Sequence, residues 1–164
     1  MILDDNPFPP GDADRHELWE MLVRRDIEAF LAQDWRMVEG DFVTPGFFGM
    51  HAHFLDNPDS WRLQFPSLEA YRDEWLRQAR ETAATAFAES LREALFRITN
   101  MRDIDVRGDS AVLHKKFHGS IARPGGEAER LQWQTLYFCT RRGGRWKIAG
   151  FVGYMPHPLA LKAG

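Results

Sequence analysis

Asp26 is the residue whose place in the sequence suggests chemistry first. It lies four positions after Leu22 and four before Phe30, on the apolar side of a helical stretch. An acid buried there without a cationic partner has a raised pKa and serves as a general acid or base. The plainer role is an edge acid paired with Arg24, Arg25 or a cation from a strand. His51 and His53 flank Ala52 in a strand-like run. A period of two puts both imidazoles on one face. His51 is a competent base near neutral pH. Two histidines also begin a metal site, but no third ligand is evident, so no metal and no cofactor is expected. The plainer role for both is packing at a rim.

Arg102 and Lys115 are the next oddity. A two-residue turn at Gly108-Asp109 makes them cross-strand neighbours on an inner face, where like charges repel. An anion would settle them: Asp26, or the carboxylate of a substrate. A register slip by one residue would instead place both in solvent. Asn100, on the same face, either orients a ligand carbonyl or satisfies a backbone group at a strand bend. Trp19, Trp61, Trp75, Trp133, Tyr71, Tyr137 and Tyr154 supply aromatic surface. Most of this is expected to be core, with Trp61 as a lid over a pocket. Cys139 has no basic neighbour in sequence and is expected to be inert. Nucleotide-binding glycine loops, a nucleophile elbow and zinc-type Cys–His spacing are absent from the sequence.

These residues need elements to hold them. Leu18, Trp19, Leu22, Val23, Ile27, Phe30 and Leu31 recur at helical spacing, which predicts a helix over about 14–32. Asp34 caps a second, short helix carrying Trp35, Val38 and Phe42. Phe47 to Phe54 reads as a short strand, and Asp56-Asn57-Pro58-Asp59 as turn chemistry. Ser67 caps the longest helix, to about Phe87, with Leu68, Tyr71, Trp75, Ala79, Thr82 and Ala86 as its stripe. Strands follow at about 93–106, 110–122, 130–141 and 145–154, separated by Gly108-Asp109, Pro124-Gly125-Gly126 and Gly143-Gly144. Pairing across the last turn sets Cys139 opposite Ile148 and turns Trp133, Tyr137, Trp146, Val152 and Tyr154 to one face. Joining that face to the preceding hairpin requires an odd-length loop or a bulge near Pro124-Gly125-Gly126.

Composition sets the bounds. A chain of 164 residues, 44% hydrophobic and 27% charged, suits one globular domain and no disordered or collagenous class. A net charge of -3 gives no basic surplus for nucleic acid. One cysteine forms no internal disulfide framework. The acidic start and early prolines are unlike a secretory leader, and no apolar run approaches a membrane span, so a cytoplasmic protein without membrane contact is expected.

The element order, helix, short helix, short strand, long helix and four antiparallel strands, resembles the nuclear transport factor 2-like superfamily, with its SnoaL-like polyketide cyclases and ketosteroid isomerases. The resemblance covers roughly residues 14 to 155. It rests on Ala32-Gln33-Asp34-Trp35 with Phe42 after it, Ile98-Thr99-Asn100, Gly108-Asp109-Ser110-Ala111 and Gly144-Arg145-Trp146-Lys147-Ile148. It implies an α+β cone, a strongly bent antiparallel sheet wrapped around three N-terminal helices, with an arm over 1–13 and a tail over 156–164. It also implies a ligand in the cone's mouth and a homodimer through the outer sheet face, with Val112, Met101, Leu95, Leu136 and Phe138. Asp26 falls near the place of the isomerases' oxyanion-hole tyrosine. Met50 or His51 falls where they carry a base aspartate, which this sequence lacks. The function implied is a cofactor-free isomerase, dehydratase or cyclase acting on an apolar carbonyl or carboxylate compound. His51 would be its base, with Asp26 and either Asn100 or Lys115 polarising the oxygen, and Trp19, Trp61, Arg102, Tyr137 and Tyr154 completing the pocket. The alternative is a non-catalytic module that binds a ligand or partner.

Overall fold

A computed structural model describes residues 4–156; the first three residues of the arm and residues 157–164 of the tail lie outside it. The amphipathic stripe of the first helical stretch produces one continuous rod. It comprises α1 (Ala13–Trp19), a π-helical segment (Glu20–Arg25) and α2 (Asp26–Ala32). Residues 6–12 fold back on this rod: His16 Nδ1 contacts the Phe8 carbonyl at 2.8 Å, and Asn6 Nδ2 donates to Glu20 at 3.1 Å. Gln33, in the left-handed region at φ 54°, ends the rod. Asp34 then accepts from the Arg36 amide, but the expected short helix is two 3-10 turns, Trp35–Met37 and Glu39–Asp41.

The sheet has six strands: β1 (Phe48–His51), β2 (Arg62–Phe65), β3 (Thr99–Arg107), β4 (Ser110–Ala122), β5 (Ala128–Arg142) and β6 (Arg145–Pro156). Their order is β2-β1-β6-β5-β4-β3. All neighbours are antiparallel except β1 and β6, so the sheet is mixed rather than purely antiparallel. It curves around the rod and two further helices, α3 (Leu68–Ala83) and α4 (Leu91–Ile98), as an open α+β cone. β2 begins just after the turn residues 56–59 and Trp61, where the sequence reading placed no strand.

α4 corrects the sequence reading, which placed a strand from residue 93. Ser90 Oγ accepts from the Glu93 amide at 3.3 Å, a helix N-cap. Leu91, Ala94, Leu95 and Ile98 then follow a period of 3.6, and all but Leu91 are buried. Leu95 is therefore core and not part of the outer sheet face.

Along β3 to β6 strand parity is as expected in most places and is broken by irregularities in three. Val106 faces Ala111, and Ile104 faces Leu113. An irregularity between Asn100 and Asp103 then moves Asn100 opposite Lys116. The extra residue inverts the local facing. Met101 turns into the core at 1% exposure, while Asn100 and Arg102 face solvent. Arg102 is thus not beside Lys115, and Met101 is not on the outer face. The β4–β5 link, residues 123–127, has the required odd length and joins the faces with Lys115 opposite Thr135 and Leu113 opposite Tyr137. Across the last hairpin Cys139 faces Ile148 and Arg141 faces Trp146. A bulge between Phe138 and Cys139 then puts Phe151 opposite Tyr137. Val152, expected inside, instead pairs with Leu136 on the outer side. Tyr154 returns inward through a second shift and a left-handed backbone at φ 54°.

The core is aromatic. Trp35 stacks on Phe42 at 5.2 Å, and Tyr71 packs among Phe42, Phe47, Phe65 and Phe151. Trp146 is 1% exposed and donates Nε1–H to Asp14 at 3.1 Å beneath Arg141. A buried ionic clamp ties the rod to the last strand. Asp41, 1% exposed, accepts two bonds of 2.8 Å from Arg25 and a third from Arg145. Bidentate, charge-assisted pairing is what makes such burial tolerable.

Candidate functional site

The rod, α3, α4 and the concave side of β4, β5 and β6 enclose a cavity of about 630 Å³. Its floor is the Asp26–Lys115 pair. The π-helical segment ends one residue before Asp26, and the Leu22 carbonyl within it accepts from Lys115 Nζ. The same ammonium donates to Asp26 Oδ2 at 2.9 Å. Asp26 Oδ1 accepts the Trp75 indole N–H from α3 at 3.2 Å. Lys115 is 1% exposed and lies 5.5 Å from the Phe117 ring centroid, whereas the Asp26 side chain keeps 31% of its surface open. The carboxylate is thus held from two sides and still faces the cavity. Its partner is the sheet cation that the sequence offered as one possibility.

Three hydroxyls lie around this pair. Tyr71 comes from α3, and Tyr137 and Thr135 come from β5. None has a hydrogen-bond partner among the described residues. Burial raises the pKa of both phenols well above the ordinary tyrosine value. For Tyr71 the neighbouring Tyr137 adds to this, and the charge of Asp26 does so for both. Both are therefore O–H donors at any physiological pH. A third tyrosine, Tyr154, accepts from Gln78 Nε2 at 2.7 Å, and burial raises its pKa too. Cys139 is pushed upward by burial and is inert.

The structure brings together Asp26, Lys115, Tyr137 and Tyr154, all of which line the cavity. It separates the rest. His51 does not line it. Its ring stacks on Tyr154 at 4.2 Å and on His53 at 4.1 Å, and its Nδ1 accepts the His53 amide. Burial first, and then His53, lower its pKa. Trp19 is core at 5% exposure. Trp61 donates to the Leu55 carbonyl on the flank of β1 and covers no part of the cavity. Asn100 and Arg102 are in solvent for the reason given above. Tyr71, Trp75 and Gln78 were readable as one face of α3, spaced by three or four residues. Thr135 had no signal beyond its parity with Tyr137. Among the described residues, no cluster of three His, Cys, Asp or Glu is placed to hold a metal.

No protein-family model matches the sequence, and no curated protein matches it. Solved structures do match in fold. A nuclear transport factor 2-like protein of unknown function from Pseudomonas putida KT2440 is 15% identical over 86% of this chain and 85% of its own, with a TM-score of 0.58. Another from Silicibacter pomeroyi DSS-3 is 17% identical over 87% and 95%, with a TM-score of 0.51. A conserved protein from Planctomyces limnophilus DSM 3776 is 17% identical over 88% and 96%, with a TM-score of 0.58. The helices, the sheet order and these matches agree: the chain has the fold of the nuclear transport factor 2-like superfamily.

Proposed function

We propose that the cavity binds a small apolar molecule through an oxygen function, and that the domain carries out cofactor-free proton transfer on it. The observation behind this is the Asp26–Lys115 pair facing a cavity in which the Tyr71 and Tyr137 hydroxyls lack partners. Apolar walls with a few convergent polar groups are the usual make-up of a ligand site. The proton acceptor in this reading is Asp26 rather than His51, which lies behind Tyr154. Asp26 takes a proton from the carbon next to a carbonyl, and the C–H electrons move onto the carbonyl oxygen. The phenols of Tyr71 and Tyr137 donate to that oxygen as charge develops. Return of the proton to another carbon completes an isomerisation. Loss of a β-hydroxyl, protonated by Asp26 as it leaves, completes a dehydration. Lys115 and Trp75 hold the carboxylate in place.

The test is a thermal-shift screen of cyclic and acyclic ketones, followed by NMR in D2O of the exchange of their α-hydrogens. The wild-type chain is expected to accelerate exchange, and Asp26→Asn and Tyr137→Phe to slow it by about a hundredfold or more, the low end of the range for losing a positioned acid, base or oxyanion donor. Ketone binding with no exchange makes the domain a non-catalytic binding module. Absence of binding refutes the pocket reading.

We also propose a homodimer through the outer face of β4 and β5. What supports it is Val112 at 37% exposure beside half-buried Leu136 and Phe138. Sedimentation at micromolar concentration should give a dimer, and Leu136→Lys a monomer. A monomeric wild type refutes it.

A further inference from the structure

The cavity is long, and its two ends differ in chemistry. Tyr71 lies at the floor and Glu81 at the rim, ten residues further along α3, which is about 15 Å at the rise of a helix. The middle of the walls is apolar: Phe87, Leu91, Leu95, Phe117, Ile121 and Leu131. The floor is electrically settled, because the charge of Lys115 is met by Asp26 and the Leu22 carbonyl. The free groups there, Tyr71, Tyr137 and Thr135, are neutral hydroxyls that suit a carbonyl or hydroxyl and give no reason for a second anion. The rim is different. Arg77 is engaged by Glu74 and Glu81 at 2.6 Å each. Arg123 and Arg130, flanking the β4–β5 turn across the opening, have no acidic partner among the described residues. Exposed guanidinium groups at the lip of an apolar tunnel suit a carboxylate, which they bind in bidentate fashion.

We infer that the occupant is a medium-chain aliphatic carboxylate, its acid group at Arg123 and Arg130 and a neutral oxygen function at the far end, against Tyr71 and Tyr137. An extended chain advances about 3.3–3.6 Å for every three bonds, so about 15 Å corresponds to roughly twelve bonds. A chain near twelve carbons spans the cavity. A much shorter one cannot reach the hydroxyls while its carboxylate stays at the rim. This inference rests on the pocket reading above and narrows its ligand class.

Calorimetric titration of the whole chain with octanoate, dodecanoate, the ω-hydroxy derivative of dodecanoate and methyl dodecanoate tests it. Dodecanoate should bind about tenfold or more tightly than octanoate, since each buried methylene adds a fraction of a tenfold step. Arg123→Gln with Arg130→Gln should weaken dodecanoate by about tenfold, the value of one charged hydrogen bond, and leave the methyl ester unchanged. The ω-hydroxy acid should bind more tightly than dodecanoate, and Tyr137→Phe should erase that advantage. Equal binding of octanoate and dodecanoate, or an arginine variant that weakens acid and ester alike, overturns the inference. If a compact ketone binds in a manner that depends on Tyr137 while dodecanoate does not bind, the pocket reading stands and the chain-length inference falls. If neither binds, both fall.

Discussion

Replacing Asp26 by Asn tests the floor of the cavity most directly. Asn keeps the shape and an oxygen for the Trp75 indole, but removes the charge that faces Lys115. The ammonium, on a residue 1% exposed, would then have only the Leu22 carbonyl. Breaking a fully buried pair costs about 3–5 kcal/mol, and an exposed pair is worth about 0–1. Asp26 is open over 31% of its side chain, so a loss of about 2–3 kcal/mol is expected. At about 2–4 °C per kcal/mol for a domain of this size, Tm should fall by about 5–10 °C. Lys115→Met removes the buried charge with little change of volume. Adding it to Asp26→Asn should restore most of the loss, a coupling of about 2 kcal/mol. Urea unfolding followed by circular dichroism measures all three variants, provided the slope is unchanged. An Asp26→Asn protein as stable as wild type, or a double variant that is the simple sum of the two, would refute the pairing and the floor built on it.

Three further outcomes are expected. Trp146→Ala should cost about 3–5 kcal/mol in chemical denaturation, because the ring is 1% exposed and its N–H is bound to Asp14. Gly150→Ala should cost about 1–3 kcal/mol, since a Cβ there would lie 2.3 Å from the Phe48 ring; an unchanged melting temperature would contradict the β1–β6 packing. Burial and His53 depress the pKa of His51, so the unfolded chain binds its proton first. The penalty is absent above the ordinary histidine range of about 6.5 and grows as pH falls toward the folded value. His51→Gln should therefore lose less stability than wild type between about pH 7.5 and about pH 5, as read from melting curves at each pH.

Periodicity made the rod, α3 and the odd β4–β5 loop readable, because a buried face repeats its pattern over many residues. Asp26 stood out for the same reason: an acid in an apolar stripe contradicts its surroundings. Bulges leave no such trace. The extra residue near Asn100 turned Arg102 out and Met101 in, and the one on β6 between Ile148 and Gly150 exchanged Val152 for Phe151. Parity carries no information past such a point. α4 was hidden by β-branched and aromatic residues at its end, Phe96, Ile98 and Thr99, although Ser90 and Glu93 already spelled a capping box. His51 illustrates a further limit. Its side of the sheet followed from spacing, but the ring that stands between it and the cavity, Tyr154, depends on a left-handed residue at the end of β6.

The π-helical turn at Glu20–Arg25 has a consequence for how this chain can vary. Such a turn is equivalent to one residue inserted into an α-helix, and it uncouples the two halves of the rod. The upstream half answers to Trp146 through Glu17 and Asp14, and the downstream half answers to Lys115 through Asp26. Closing the turn to a regular helix with every residue kept would rotate each later side chain by about 100° around the axis, and Asp26 would swing off the cavity while the upstream anchor stayed put. Deleting one residue together with the turn would instead leave the later side chains in place. The turn therefore sets which residue of the downstream half meets Lys115.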